Sequence, residues 1–195
     1  MFEFNPPFRR AVPSDACALA ELVNDAGEGV PLHVWNGLAG PGQTGWDIGR
    51  MRSAQGLGCF SYRNSIMIDH EGEPAGCLVG EPLPLEPAAI DDDTPAVIRP
   101  LHELQNLDRE IWYVSALAVL PQFRRKGLGT ALLGLADRLG DTAGRPCMGV
   151  ITADTNTAAR RLYEHCGYRM KAVRPMVKNG WAHQGENWVL MTKTL

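Results

Sequence analysis

A chain of 195 residues, 45% hydrophobic and 21% charged, has the size at which one domain buries a full core. Its formal net charge of -3 excludes a broad electrostatic case for nucleic acid or an anionic membrane surface and favours a small-molecule or peptide partner. Cys17, Cys59, Cys77, Cys147 and Cys166 are odd in number and form no C-x-x-C pair, so they read as reduced thiols outside any zinc or redox motif.

The first eight residues lack a basic segment followed by a long apolar run, and no later stretch is long and apolar enough to span a bilayer, so a soluble cytoplasmic protein is expected. Residues 8–12 are a strand candidate, followed by Pro13 and by Ser14-Asp15, whose oxygens suit the free N–H groups of a helix start. A first helix follows, with Cys17, Leu19, Ala20, Leu22 and Val23 roughly on one face and residues 24–29 as its stop. Between residues 30 and 58, glycine, proline, Trp35 and Trp46 obscure any period, and a short helix over 46–54 is the one element read there. Residues 65–69 and 75–80 flank Glu71-Gly72-Glu73, which predicts an antiparallel hairpin. Residues 81–108, rich in proline and carrying Asp91-Asp92-Asp93, read as a surface insertion with a helical turn around 101–107.

Beyond the insertion, Ile111–Val119 is a nearly continuous apolar run that suits a buried central strand. Leu128, Leu132, Leu135 and Leu139 recur at helical offsets, predicting a helix over 127–139 that Gly140 ends. A strand over 146–152 and a helix over 156–166 follow, the latter with Ala159, Leu162, Tyr163 and Cys166 on one stripe and Gly167 as its left-handed cap. Residues 168–177 and 187–194 complete the sheet as an antiparallel pair. The expected fold is α/β (α+β), a mixed sheet with flanking helices in a single domain over residues 1–195.

The segment Val119-Leu120-Pro121-Gln122-Phe123-Arg124-Arg125-Lys126-Gly127-Leu128-Gly129-Thr130 joins the buried strand to a helix through two glycines one residue apart. Glycine lets a ligand approach the backbone closely, the first N–H groups of a helix lack partners, and the helix dipole adds partial positive charge. A phosphate suits that position, and Arg124, Arg125 and Lys126 add charge. A P-loop is excluded, since it needs G-x-x-x-x-G-K before Ser or Thr and Lys126 precedes both glycines. The dinucleotide fingerprint G-x-G-x-x-G would start at Gly127 and meets Leu132 where a small residue is required. His33, His70, His102 and His165 show no metal-site spacing, and nothing supplies a nucleophilic triad.

The loop resembles that of the GNAT superfamily of acyl-CoA N-acyltransferases, whose pattern is Arg or Gln, two residues, Gly, one residue, then Gly or Ala. Here these are Arg124, Gly127 and Gly129. The family's later Asn, Tyr and Gly-Tyr are matched in order by Asn156, Tyr163 and Gly167-Tyr168. The specific matches cover about residues 111–168, and the first half of the chain agrees only in the order of its elements.

The resemblance implies a mostly antiparallel, splayed central sheet and acetyl-CoA as cosubstrate, without metal. It implies that backbone amides from Gln122 or Phe123 through Gly127, Leu128, Gly129 and Thr130 hold the pyrophosphate. Leu117, Ala118 and Val119 on the splayed strand would hydrogen-bond the pantetheine arm and supply an N–H for the oxyanion. Asn156 would bond the pantetheine chain, and Tyr163 would protonate the departing thiolate. Family members often carry a Glu on the central strand. Ile111–Val119 has none, which leaves Glu110 at its lip as the candidate base. Trp35, Trp46, Trp181 and His183 fall in segments that flank the acceptor groove of that fold.

Each residue has a structural alternative: a plain helix entry for the loop, an N-cap for Asn156, a core tyrosine for Tyr163 and a solvated edge carboxylate for Glu110. The acidic run 91–93 reads as a solvated loop. The functional expectation is direct transfer of acetyl to an amine of a small molecule or peptide, with no acyl-enzyme. A module that binds acyl-CoA or a partner protein without turnover is the alternative. Acylation of a tRNA or a ribosomal protein would call for a basic face that the mildly acidic chain lacks overall. Monomer and homodimer both stay open.

Overall fold

The computed structural model describes residues 4–56 and 58–195. Met1, Phe2 and Glu3, part of the leader reading, and Leu57, in the stretch of obscured period, lie outside them. In chain order the elements are β1 (Phe8–Arg10), α1 (Ala16–Ala26), α2 (Val30–Leu38), α3 (Gly45–Ala54), β2 (Ser65–His70), β3 (Glu73–Pro82), α4 (Arg99–Gln105) and β4 (Ile111–Val119). Then come α5 (Leu128–Thr142), β5 (Cys147–Ala153), α6 (Thr157–His165), β6 (Arg169–Pro175) and β7 (Asn187–Thr194). The strand order is β1-β2-β3-β4-β5-β7-β6. The β4–β5 pair is parallel, and β1–β2, β2–β3, β5–β7 and β6–β7 are antiparallel. The mixed, mostly antiparallel α/β fold expected from the sequence is observed. The chain forms two compact units, each discontinuous: Met1–Gly80 with Ser115–Ala136, and Glu81–Val114 with Asp137–Leu195.

In the first unit, Ile66 lies opposite Leu78 and Met67 opposite Cys77 across the β2–β3 hairpin. Glu71 and Gly72 turn it at φ 55° and 85°, the left-handed pair a tight hairpin needs. Leu19, Leu22 and Val23 of α1 join Trp35, Met67, Cys77 and Ala116 in one buried cluster. The cap expected at Ser14-Asp15 is used differently. Asp15 is buried and accepts two hydrogen bonds from the Arg9 guanidinium, at 2.7 and 2.9 Å, and one from the Val12 N–H at 2.8 Å. A bidentate, charge-assisted pair outbids a helix N–H for the same carboxylate. Burial opposes ionisation of Asp15, yet these bonds outweigh it and hold the carboxyl below its ordinary value.

Helix α2 was not read from the sequence. It opens after Gly29 at φ 84°, with Pro31 in its first turn, and Asn24 Oδ1 takes the Leu32 N–H at 2.9 Å. The proline at a helix entrance was a legible signal, hidden by the irregular spacing of the apolar residues. Helix α3, expected over 46–54, is capped by Thr44, which accepts the Asp47 N–H at 3.2 Å, while Asp47 accepts the Thr44 N–H at 2.8 Å. A Cβ on Gly49 of α3 would stand 2.5 Å from the Trp35 ring, so that glycine sets how closely α2 and α3 approach.

In the second unit, Ile111–Val114 of β4 lie opposite Cys147–Val150, and β5 pairs on its other side with β7, from Cys147 opposite Thr194 to Ala153 opposite Trp188. Helix α5 runs past Gly140 to Thr142 and is closed by Gly144, φ 66°, with the Arg145 N–H reaching the Gly140 carbonyl at 3.0 Å in a Schellman closure. Gly140 is therefore no helix stop. A Cβ there would come within 2.5 Å of Met148 Sδ and 3.2 Å of Trp112 Cβ. The proline-rich insertion is pinned at its base: Arg109 donates to the carbonyls of Pro84 and Glu86 at 2.9 and 2.8 Å. Asn106 exchanges two bonds with the backbone of Ala88 at 2.9 and 3.0 Å.

Candidate functional site

Between β4 and α5 the chain passes through a 3₁₀ turn at Pro121–Phe123 and a loop in which Arg125 and Gly127 both take positive φ, 65° and 79°. Arg125 carries a side chain in a region that disfavours one, and left-handed residues alternating along a loop are the backbone pattern of an anion-binding nest. The first helical bond runs from the Ala131 N–H to the Gly127 carbonyl at 3.0 Å, and every backbone N–H over residues 125–130 donates to no group among the described residues. A Cβ on Gly127 would meet nothing within 4 Å. Open donors, exposed backbone and a helix N-terminus of fifteen residues fit a phosphate.

The three loop cations have separate roles. Arg124 Nε donates to the Val119 carbonyl at 2.9 Å and its Nη2 pairs with Asp25 at 2.7 Å, so this side chain ties the loop to the end of β4 and to α1. Lys126 Nζ lies 2.9 Å from His70 Nε2 and 5.7 Å from the Phe123 ring centre. Arg125 is exposed and engages no partner among the described residues. Asp25 and His70 were not found by sequence reasoning, because they sit 99 and 56 residues from their loop partners and belong to no local pattern.

The Leu120 N–H donates to the Ala75 carbonyl at 2.8 Å, and the Ala118 carbonyl lies 2.6 Å from where a Cβ on Gly76 would stand. The even-numbered residues at this end of β4 thus face β3, and strand alternation turns the backbone of Leu117 and Val119 to the opposite edge. The ladder between β4 and β5 stops at Val114 and Val150, although β4 continues to Val119 and β5 to Ala153.

In the second unit, Asn156 caps α6, its Oδ1 accepting the Ala159 N–H at 3.0 Å. Tyr163 is the buried residue of that helix, its ring 5.8 Å from that of Tyr168. Glu110 is exposed, directly ahead of β4. The β6–β7 connection stacks Trp181 between Trp188, 5.7 Å away at 4°, and His183, 4.7 Å away at 13°. Asp154 holds its end by accepting the N–H groups of Glu186 and Asn187 at 3.2 and 2.9 Å and the Asn187 side-chain amide at 3.0 Å. The four aromatic residues singled out from sequence fall into pairs: Trp181 with His183 here, and Trp35 against Trp46 at 6.4 Å in the first unit. Among the described residues, no three His, Cys, Asp or Glu side chains stand together as a metal site, and no helix is long and apolar enough to cross a membrane.

Among curated proteins none matches this sequence. Solved structures share its fold. An N-acetyltransferase from Staphylococcus aureus Mu50 superposes with a TM-score of 0.65 at 15% identity, covering 95% of this chain and 98% of that one. The ribosomal-protein-S18-alanine N-acetyltransferase from Escherichia coli gives 0.56 at 17% identity, over 96% and 92%. A GNAT family acetyltransferase from Elizabethkingia anophelis with acetyl-CoA bound gives 0.50 at 17%, over 67% and 75%. At such identities the likeness is one of fold. Sequence carries the family: residues 41–168 match the model of the Acetyltransferase (GNAT) family, a span that takes in the loop, Asn156, Tyr163 and Gly167-Tyr168. The chain belongs to the GNAT acetyltransferase family and is an acyltransferase.

Proposed function

We propose that this chain transfers an acetyl group from acetyl-CoA directly to the primary amine of a small molecule or peptide. The observation that carries the reading is the run of unpartnered backbone N–H groups over residues 125–130 at the start of α5, a donor array matched to a pyrophosphate. Gly127, Leu128, Gly129 and Thr130 bind through their amides. Arg125 and Lys126 add charge, and Arg124 fixes the loop. Leu117 and Val119 offer backbone groups to the pantetheine arm, the Val119 carbonyl being held by Arg124, whereas Ala118, expected there from the sequence, turns its backbone to β3. Asn156 offers its amide alongside its capping role. Bound acetyl-CoA supplies the activated acyl group.

Glu110 is the proposed base, taking a proton from the amine so that its lone pair can attack, with Tyr113 and Ser115 as polar groups along the strand. As the new C–N bond forms and the C–S bond breaks, Tyr163 gives its phenolic proton to the departing sulfur, and the amide nitrogen sheds its surplus proton, which restores the phenol. The balanced outcome is an amide and free coenzyme A.

The test is calorimetric titration with acetyl-CoA and with coenzyme A, repeated on the Gly127→Asp, Gly129→Asp double variant, followed by a thiol-release assay against an amine library. Binding by the wild type, its loss in the variant and thiol release with some amines are expected. A wild type that binds neither ligand would overturn the reading.

A further inference from the structure

We propose that His70, on the β2–β3 hairpin, is a positioning residue for the coenzyme, holding the Lys126 ammonium beside the phosphate cradle and releasing it to a coenzyme phosphate when the imidazole is protonated. The proposal rests on the reading of the 125–130 loop as that cradle. Lys126 Nζ stands 2.9 Å from His70 Nε2. An ammonium has only donors, so in this bond the imidazole accepts, which requires it to be neutral with its proton on Nδ1. The arrangement is braced by Phe123, whose ring lies edge to face with His70 at 5.7 Å and 5.7 Å from the Lys126 ammonium. The charged groups that face the imidazole are Lys126 from the loop and Glu71 of its own hairpin, whose carboxylate is 3.9 Å from Nε2.

Arg124 is matched by a carboxylate, Asp25. Lys126 leans on a neutral ring instead and pairs directly with no carboxylate among the described residues, the Glu71 carboxylate lying 3.9 Å from the same Nε2. Protonation of His70 turns the acceptor at 2.9 Å into a second cation. The hydrogen bond becomes a repulsion, and the ammonium, one residue before Gly127, is set free for an anion on the loop. A neutral imidazole keeps it parked.

The experiment measures Kd for coenzyme A and for dephospho-coenzyme A, which lacks the 3′-phosphate, between pH 5.5 and 8. The proteins are the wild type, His70→Gln, Lys126→Met and the double variant. Glutamine keeps an acceptor for Lys126 but cannot take the proton. Titration of the ligand's own phosphates is common to all four proteins and cancels in ratios.

The Kd ratio of His70→Gln to wild type is expected near one at pH 8 and about 5- to 10-fold at pH 5.5, the weight of one charge-assisted contact partly screened by solvent. In the Lys126→Met background the His70 substitution should then have no further effect. A preference for coenzyme A that shrinks in Lys126→Met assigns the 3′-phosphate as the contact, and an equal loss for both ligands assigns the pyrophosphate. A ratio flat across pH, or a His70 effect that survives without Lys126, overturns the proposal while leaving coenzyme binding intact. A wild type that binds neither ligand overturns the cradle itself.

Discussion

Tyr163 stands where two demands coincide. It is buried on a short amphipathic helix, so its ring is a packing element, and its hydroxyl is the group proposed to protonate the departing thiolate. Phenylalanine preserves the ring and deletes the proton. Tyr163→Phe is therefore expected to bind coenzyme A as the wild type does and to lose about 10²- to 10⁴-fold in kcat, measured by thiol release. An unchanged kcat would leave Tyr163 a core residue only.

At the same scale, Asp47 shows how a cap becomes a pH effect. Bonds from the Thr44 hydroxyl and N–H, then from Arg50, lower its carboxyl to about 2. A carboxyl depressed in the folded state contributes stability above its unfolded value near 4, and that contribution is lost as pH falls towards 2. Asp47→Asn should melt below the wild type at pH 7 and converge with it near pH 2. None of these three bonds was read in advance, although the spacing Thr44-x-x-Asp47 is itself the local signature of a capping box. The loop cations were legible as charges but not as roles, because Asp25 and His70 reach them only through the fold.

Helices are where pattern was most legible and glycine least. The leucine spacing of α5 was read correctly, yet Gly140 was taken as its stop, since a glycine after an apolar stripe has the same appearance whether it caps a helix or admits a neighbour. Two of the three glycines inside α5, Gly134 and Gly140, separate these meanings. Around Gly134 nothing lies within 4 Å of a built Cβ, so Gly134→Ala is expected to stabilise by about 0.5–1 kcal/mol through helix propensity. At Gly140 the same methyl meets Met148, Leu195 and the Cβ of Trp112, and an overpacking cost of about 1–3 kcal/mol exceeds that gain. Urea denaturation of the two variants should shift the midpoint in opposite directions. The strands were read to within a few residues because alternation and apolar runs are local properties. Helix α2 was missed because what defines it, Asn24 on the Leu32 N–H and Trp35 against Gly49, is contact between segments.

For the whole molecule, connectivity bears on cooperativity. The division into two units cuts through β4 between Val114 and Ser115 and through α5 between Ala136 and Asp137, so one strand and one helix each belong to both. Unfolding either unit alone would end β4 and α5 in mid-element, leaving backbone groups of the helix without partners. A single thermal transition is expected by calorimetry. If the loop binds coenzyme A, mass action adds a second expectation: ligand at about 100 times its Kd stabilises by about 2.7 kcal/mol, which for a chain of this length raises Tm by roughly 5–10 °C. The whole transition should move together, and the Gly127→Asp, Gly129→Asp variant should not respond. Two transitions, of which coenzyme A moves one, would show that the shared strand and helix do not couple the units.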